Sequence, residues 1–401
     1  MAPVLDLLSG SGRNTGREGP THVRQKNQRI WNYLEPGNLS TAKTEYRNLY
    51  RPYTLDFPYD AAETLPGLEG WSLRTQGNVW AVLLAGDDGQ PLKPRTTTVH
   101  GVSIPTQYCS PNGGDSLLCL SLQRALAVSS RERIVAVVTE AHRSWWEREL
   151  ISLQRTNVVV QPSNRGTGFD VLLPLLVIAK SDPEAGVIFI PSDHYVEHEE
   201  VLADVMRQAT SPGILSSDKI TMLGISPNAP DSGFGYLSPA PDSGVGVRPA
   251  LKFTEKPDRA MAAELIRTGS LWNSGIFAGR VSRLVDLYSR IVPELMSELK
   301  AIVEHWPESF PFYPRLASFC ARHPSLDFSR DVLEPNPDRL QCLEVPPCGW
   351  SDVGTRFERA AFRVPRRPDA ERMSSPDPAY FVQGSFLKFA ANARLPPQDE
   401  K

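Results

Sequence analysis

No stretch of this sequence approaches the ~18 consecutive apolar residues of a membrane-spanning helix, so no bilayer crossing is expected of it. Cysteine is scarce and unpatterned: Cys109, Cys119, Cys320, Cys342 and Cys348 form no CxxC pair and stand at no ligand-like spacing from histidine. An odd count in a chain of this size fits reduced thiols better than a disulfide framework, and the spacing gives no support for a zinc site. A large excess of charge of one sign is missing as well. A formal net charge of -3 gives no general reason to expect nucleic acid as a partner. There is no internal repeat, no GxGxxG and no GxxxxGK, so neither common nucleotide fingerprint is present. The opening MAPVLDLLSGSGRNTGREG places a short, Asp-interrupted apolar patch ahead of its basic residues. That is the reverse of a secretory signal, and a cytoplasmic protein is the expectation.

What is present is a large apolar fraction, 40% of 401 residues, enough for one large or two medium cores. Residues 1–74 show no sustained period and read as a poorly ordered leader. Its basic cluster, Arg13, Arg17, Arg24, Lys26 and Arg29, reads as a solvated tail or as a contact for an acidic partner. A nucleic-acid binder acting through that leader is the third class of reading, separable by a salt-sensitive gel shift lost on deleting residues 1–74. Residues 361–401 turn to Arg, Pro, Ser and Asp and read as a C-terminal tail, with 380–389 a segment that could dock.

Between these ends, residues 75–360 alternate strand and helix patterns. NVWAVLLAG (78–86), RIVAVVTE (133–140), NVVVQP (157–162) and GVIFIP (186–191) read as strands. Segments 116–128, 143–153 and 170–180 between them have helical spacing, the last despite Pro174. A helix through 201–209 leads to the strand ITMLGISP (220–227), and GFGYLSP and LKFTEKP (251–257) read as antiparallel additions. A helix at 261–268, a strand at 274–282, a helix over 284–305 broken at Pro293 and a last strand at 340–347 follow. This rhythm predicts an α/β fold: a mixed, mostly parallel sheet with helices on both faces.

The chain is organised around GVIFIPSDHYVEH (186–198), a buried strand that stops at Pro191 and hands over to an acid and an imidazole. Residues just past the carboxyl end of such a strand are where open α/β sheets place chemistry. Asp193 is therefore the first candidate. The competing assignment is a cap for a helix starting near Val196. The first strand runs into GDDGQPLKPRTT, a Gly-containing loop whose free N–H groups suit phosphate.

Taken together, the blocks LAGDDGQPLKP, PTQYC, QPSNRGTG, PSDH, GFGYL, FTEKP, LWNSGIF and GWSDVG, in that order from Leu84 to Gly354, resemble the sugar-phosphate nucleotidyltransferases of the mannose-1-phosphate guanylyltransferase type. The resemblance implies a Rossmann-like sheet, the nucleotide-diphospho-sugar transferase fold. It also implies a reaction joining a sugar 1-phosphate, mannose 1-phosphate first among the candidates, to GTP or another nucleoside triphosphate, which gives GDP-mannose and pyrophosphate. Relatives often continue into a β-helix or a cupin-like isomerase domain; the residues after Arg359 are expected to form neither.

By that resemblance, Asp193 and Asp352 hold Mg²⁺, an ion content with one or two carboxylates plus phosphate oxygens and water. A turn-forming Asp before Gly354 is the alternative for Asp352. Glu255 corresponds to the acid that bonds a sugar hydroxyl, and Lys256 to the amine that meets the sugar phosphate and serves catalysis. An exposed ion pair is the alternative for these two. Gly235 and Asn273 correspond to further sugar contacts. Trp272 is either a wall of the pocket or core. Gly86 and Gly89 belong to the phosphate loop. Gln161, Pro162 and Thr167 correspond to the base-recognition turn, with Gln161 standing for an acid and Gly166 for an Asn. His194 is expected only to support Asp193. The sequence leaves the oligomeric state open, a homodimer included.

The phosphate loop departs from the family pattern. Asp87 replaces its second Gly, Pro91 its Arg, and Thr106 the Lys of its PKQ block. Two cations that would face the triphosphate are missing and one negative charge is added. Loss of one such cation can cost about 10²-fold in rate. Two readings follow. In one, Lys93 and Arg95 replace the lost cations and the enzyme works. In the other, the chain binds sugar phosphate or nucleotide sugar as a regulatory protein without turnover.

Overall fold

Along β1 (Val79–Ala85) the side chains alternate. Ala81, Leu83 and Ala85 enter one buried cluster and Val82 the opposite one. β4 (Gly186–Pro191) repeats the pattern, with Val187 and Phe189 on one face and Ile188 and Ile190 on the other. Strands with both faces apolar can only be central, covered by helices above and below. The structure, a computed structural model, describes residues 79–87, 104–111, 114–241, 246–307 and 309–353. The leader 1–74, Gly89, Pro91, Lys93, Arg95, Gly354 and the tail 361–401 lie outside the described residues.

After β1 come α1 (Leu117–Leu126), β2 (Ile134–Thr139), α2 (Arg143–Glu149), β3 (Val158–Gln161) and α3 (Thr167–Ser181). β4 is followed by the two-residue β5 (His194–Tyr195), then α4 (Glu199–Ala209), α5 (Pro212–Leu215) and β6 (Ile220–Ile225). A hairpin follows, β7 (Tyr236–Pro239) and β8 (Arg248–Thr254), with α6 (Arg259–Arg267) and the ten-residue β9 (Leu271–Arg280) behind it. The rest is α7 (Val281–Ile291), α8 (Pro293–Val303), α9 (Ser309–Arg322), β10 (Leu340–Val345) and β11 (Ser351–Asp352).

Among the described residues one nine-stranded sheet runs in the order β3-β2-β1-β4-β9-β6-β10-β8-β7, and β11 pairs with β5 apart from it. The α/β class stands, and so does the mixed, mostly parallel sheet, in which seven of the nine strands run one way and β8 and β9 the other. β3, β2, β1 and β4 are parallel, as are β6 and β10. β9, however, lies antiparallel between β4 and β6, and β7 and β8 add only antiparallel pairs. β9 directly precedes α7 and follows the short α6, so no crossover returns it in the parallel sense.

One face of the sheet packs on α3, α7, α8 and α9, the other on α1 and α4. The Phe189 and Phe277 rings stack across β4 and β9 at 4.7 Å. Each side chain buried in this way contributes about 1.5–3 kcal/mol. Several boundaries differ from the sequence reading. The helix at 143–153 stops at Glu149, and α3 starts at Thr167 rather than 170. Gly166, with φ +88°, turns the chain there, and Leu326 takes the Gly168 N–H at 2.8 Å, so the helix gains a turn. β9 begins at Leu271, three residues before the expected 274.

Candidate active site

The parallel register puts the ends of β1, β2, β3 and β4 along one edge: Ala85 faces Val138, Thr139 faces Gln161, and Leu84 faces Pro191. The loop entrance at Gly86, the base-recognition candidates and the Asp193 turn thereby share one rim. Ser192 ties two of them together, since its N–H and its Oγ both donate to the Leu84 carbonyl, at 3.2 and 2.6 Å.

Asp193 is not a helix cap. The next helix starts at Glu199, beyond the expected 196, and its N-cap position, His198, makes no side-chain cap bond. Instead Asp193 stands between β4 and β5 and is clamped from α1. Ser121 Oγ donates to the Pro191 carbonyl at 3.1 Å, and Arg124 Nη1 to the His194 carbonyl at 3.0 Å. Arg124 is buried, and its Nε and Nη2 pair with Glu199 at 2.8 and 2.7 Å.

Asp352 arrives from a distant part of the chain. β11 runs antiparallel to β5 with Asp352 opposite His194 and Ser351 opposite Tyr195. Gly349, at φ +68°, makes the turn that precedes it, and the Cys348 carbonyl accepts from the N–H groups of Glu197 and His198 at 3.1 and 2.9 Å. The two aspartates sense each other. Partial burial together with the carboxylates of Asp352 and Asp87 pushes the Asp193 carboxyl well above its ordinary range. About a third of the Asp193 side chain stays exposed, 34%, so the like charges matter here as well as desolvation. Mutual repulsion of that kind is what a divalent cation relieves, and the donor set fits Mg²⁺. Among the described residues no group of three or more His, Cys, Asp and Glu side chains forms a metal cage.

His194 is buried and supports this centre. Its Nδ1 accepts from Trp350 Nε1 at 3.3 Å, which leaves the proton on Nε2, 3.7 Å from Asp193 Oδ1. Burial holds the imidazole neutral, well below its ordinary value. Trp350 also meets Phe234, which packs on Trp272 at 4.7 Å. Trp272 itself is a core residue, 2% exposed.

That aromatic row leads to the sugar-contact candidates, which converge. The Asn273 N–H donates to the Gly235 carbonyl at 2.8 Å, and a Cβ at Gly235 would fall 2.7 Å from Glu255 Oε2. Glu255 is nearly buried, its N–H donates to Glu334 at 3.2 Å, and burial raises its carboxyl despite Lys256 Nζ at 3.2 Å from Oε1. Lys256 is held at φ 45°, the one left-handed non-glycine among the described residues. Such a conformation costs about 1–3 kcal/mol and persists where the surroundings impose it. Glu334 follows a π-helical turn, Phe328–Leu333, whose Phe328 N–H donates to Thr167 Oγ1 at 3.0 Å. Thr167 therefore engages this segment, and Gln161 is bonded to Asp170.

Sequence reasoning missed Gln107, Arg124, Asp170 and Glu334. Gln107 Nε2 donates to the Ala85 and Asp87 carbonyls at 3.2 and 2.8 Å and holds the entrance of the phosphate loop. Its place inside PTQYC was the available signal. For Arg124 the signal was a lone cation on the apolar face of α1. Thr106, where the family pattern has Lys, is buried. All five cysteines are free thiols, and burial pushes Cys119 and Cys320 up to about 12.

A family model described as nucleotidyl transferase matches residues 80–358, most of the chain. The chain belongs to the nucleotidyl transferase family. The resemblance carried by its eight sequence blocks, to sugar-phosphate nucleotidyltransferases of the mannose-1-phosphate guanylyltransferase type, is also the one found among curated relatives. The alginate biosynthesis protein AlgA of Pseudomonas syringae pv. tomato is 26% identical over 278 residues, covering 68% of this chain and 56% of that protein. A mannose-1-phosphate guanylyltransferase of Escherichia coli is 25% identical over 280 residues, 68% of this chain and 58% of that protein. The chain thus spans little more than half the length of these relatives. A solved structure from Thermus thermophilus, titled a mannose-1-phosphate geranyltransferase, shares the fold with a TM-score of 0.58 at 23% identity over 69% of this chain and 77% of that one. No helix among the described residues is long and apolar enough to cross a membrane.

Proposed function

We propose that this chain transfers a nucleotidyl group from a nucleoside triphosphate, GTP first, to a sugar 1-phosphate, mannose 1-phosphate first, forming GDP-mannose and pyrophosphate. The observation that carries the reading is the β5–β11 register, which sets Asp352 beside the turn bearing Asp193. Those two residues would hold Mg²⁺; when bound, the ion supplies charge neutralisation at the α-phosphate and its attacker. A sugar-phosphate oxygen forms the new bond to the α-phosphorus, and the bond to the departing pyrophosphate breaks in line. The protein does no covalent work in such a transfer, and positioning and electrostatics dominate. Glu255 and Asn273 orient the sugar hydroxyls, the backbone at Gly235 approaches the ring, and Lys256 meets the sugar phosphate. Gly86 and Gly89 approach the triphosphate, with Lys93 as its cation, and Gln161, Pro162 and Thr167 border the base. The parallel order β3-β2-β1-β4, whose direction of succession reverses between β1 and β4, supports this placement of the nucleotide at that switch.

One observation favours the second reading, a sugar-phosphate or nucleotide-sugar binder without turnover: Asp87 adds its charge beside Asp193 at the place where a triphosphate would lie. The two are separated by incubating the protein with GTP, mannose 1-phosphate and Mg²⁺ and following pyrophosphate. Release supports the enzyme. No release with any common nucleotide and sugar phosphate, alongside retained binding of nucleotide sugar, establishes the second reading.

A further inference from the structure

Gln161 and Asp170 form a buried pair. Gln161, the last residue of β3, is 0% exposed, and its Nε2 donates to Asp170 Oδ1 at 2.7 Å. A carboxylate only accepts, so the amide has a single orientation, nitrogen toward Asp170 and carbonyl oxygen away from it. That oxygen is buried with no hydrogen-bond partner among the described residues. A buried acceptor without a donor costs about 1–3 kcal/mol, and a ligand N–H would remove that cost. The same carboxylate lies under the phosphate-loop entrance, since a Cβ at Gly86 would meet Asp170 Oδ1 at 2.8 Å and Oδ2 at 3.1 Å. One side chain thus touches both the loop and the residue at the base turn.

We propose that Asp170 is a specificity-determining positioning residue. It pins the Gln161 amide so that the nucleobase meets one carbonyl acceptor and no donor. This rests on the nucleotide reading above and narrows it to bases that present an imino N–H at that edge. Guanine offers two adjacent donors, N1–H and the 2-amino group. A carboxylate accepts both in parallel, one on each oxygen, whereas a single carbonyl oxygen meets only one of two parallel donors in line, so the 2-amino group contributes little here. Hypoxanthine, which keeps N1–H and lacks that group, should be taken nearly as well as guanine.

The test uses the full chain and two readouts, calorimetric affinity for Mg²⁺-GTP and Mg²⁺-ITP, and melting temperature without nucleotide. Wild type is expected to bind the two nucleotides within about threefold, and Gln161→Glu/Asp170→Asn, which restores a carboxylate, to prefer GTP by about tenfold or more. Asp170→Asn alone should weaken both several-fold, because an amide neighbour no longer dictates the Gln161 orientation. Gln161→Glu alone sets two carboxylates together in a buried place. It should melt lower, more so at about pH 8 than at about pH 5, and regain its stability when Asp170→Asn is added. A wild-type preference for GTP over ITP above about tenfold overturns the proposal, since it requires a second acceptor. So does an Asp170→Asn variant with unchanged affinities. If no nucleotide binds while the two melting effects still cancel, the nucleotide reading itself fails and the pair is a structural one. If nucleotides bind but the melting effects do not cancel, only the proposed lock is wrong.

Discussion

Asp352 sits opposite His194 in a two-residue antiparallel ladder, beside the turn that carries Asp193. Two acids far apart in the sequence are brought near each other in this way, and the charge of Asp352 helps to raise the Asp193 carboxyl. Asp352→Asn should lower turnover by about 10²-fold or more while leaving the melting temperature without metal equal or higher, because a like-charge contact is lost. Pyrophosphate release and thermal melting check both halves. An active variant would remove Asp352 from the metal site.

Asp87 is the residue most at odds with a triphosphate beside it. Asp87→Gly should lower the KM for the triphosphate by about tenfold, the effect of one removed charge at close range. Lys93→Ala should raise the same KM if Lys93 substitutes for the absent loop Arg. Steady-state kinetics at two salt concentrations would read both, and a KM unmoved by either change would dissociate this loop from triphosphate binding.

The sugar-contact candidates invite a steric test. At Gly235 a Cβ would fall 2.7 Å from Glu255 Oε2 and 2.9 Å from the Phe253 ring. Gly235→Ala should displace Glu255, destabilise the fold by about 1–3 kcal/mol and weaken sugar-phosphate binding more than nucleotide binding. Calorimetric titration with each ligand in turn measures the asymmetry, and equal losses would count against a sugar role for this corner.

How far the sequence alone reached depended on the length of the feature. Pro191 ended β4 as expected and Pro293 divided α7 from α8, because proline acts locally. β5 and β11 have two residues each, too few for any period, and only the family resemblance linked PSDH to GWSDVG. α9 was missed since SFPFYPRLASFCAR carries prolines at 311 and 314, a pattern that argues for loop. The Gln161–Asp170 bond was invisible for another reason. Each residue had a local explanation, a base contact and a helix-start acid, and only the fold shows the two side chains facing each other.

Glu149 offers a pH test away from the two aspartates. Burial raises its carboxyl from 4.5 to about 7 against the hydrogen bonds of Ser116 and Cys119. The folded chain therefore holds this proton more tightly than the unfolded chain does. The stability it brings is complete below about pH 4.5 and is lost as pH rises through about 7. Glu149→Gln, which keeps the shape without the charge, should melt a few degrees above wild type at about pH 8 and match it at about pH 4. A constant difference across that range would mean that Glu149 does not titrate in this way.

The central claim is that Asp193 and Asp352 hold one divalent ion between them. Manganese, a spectroscopic substitute for magnesium, tests it through electron paramagnetic resonance of free Mn²⁺ titrated with the full chain in the presence of GDP-mannose. One Mn²⁺ should bind the wild type and be lost in Asp193→Asn and in Asp352→Asn alike. Retention of that ion by either variant would contradict the account.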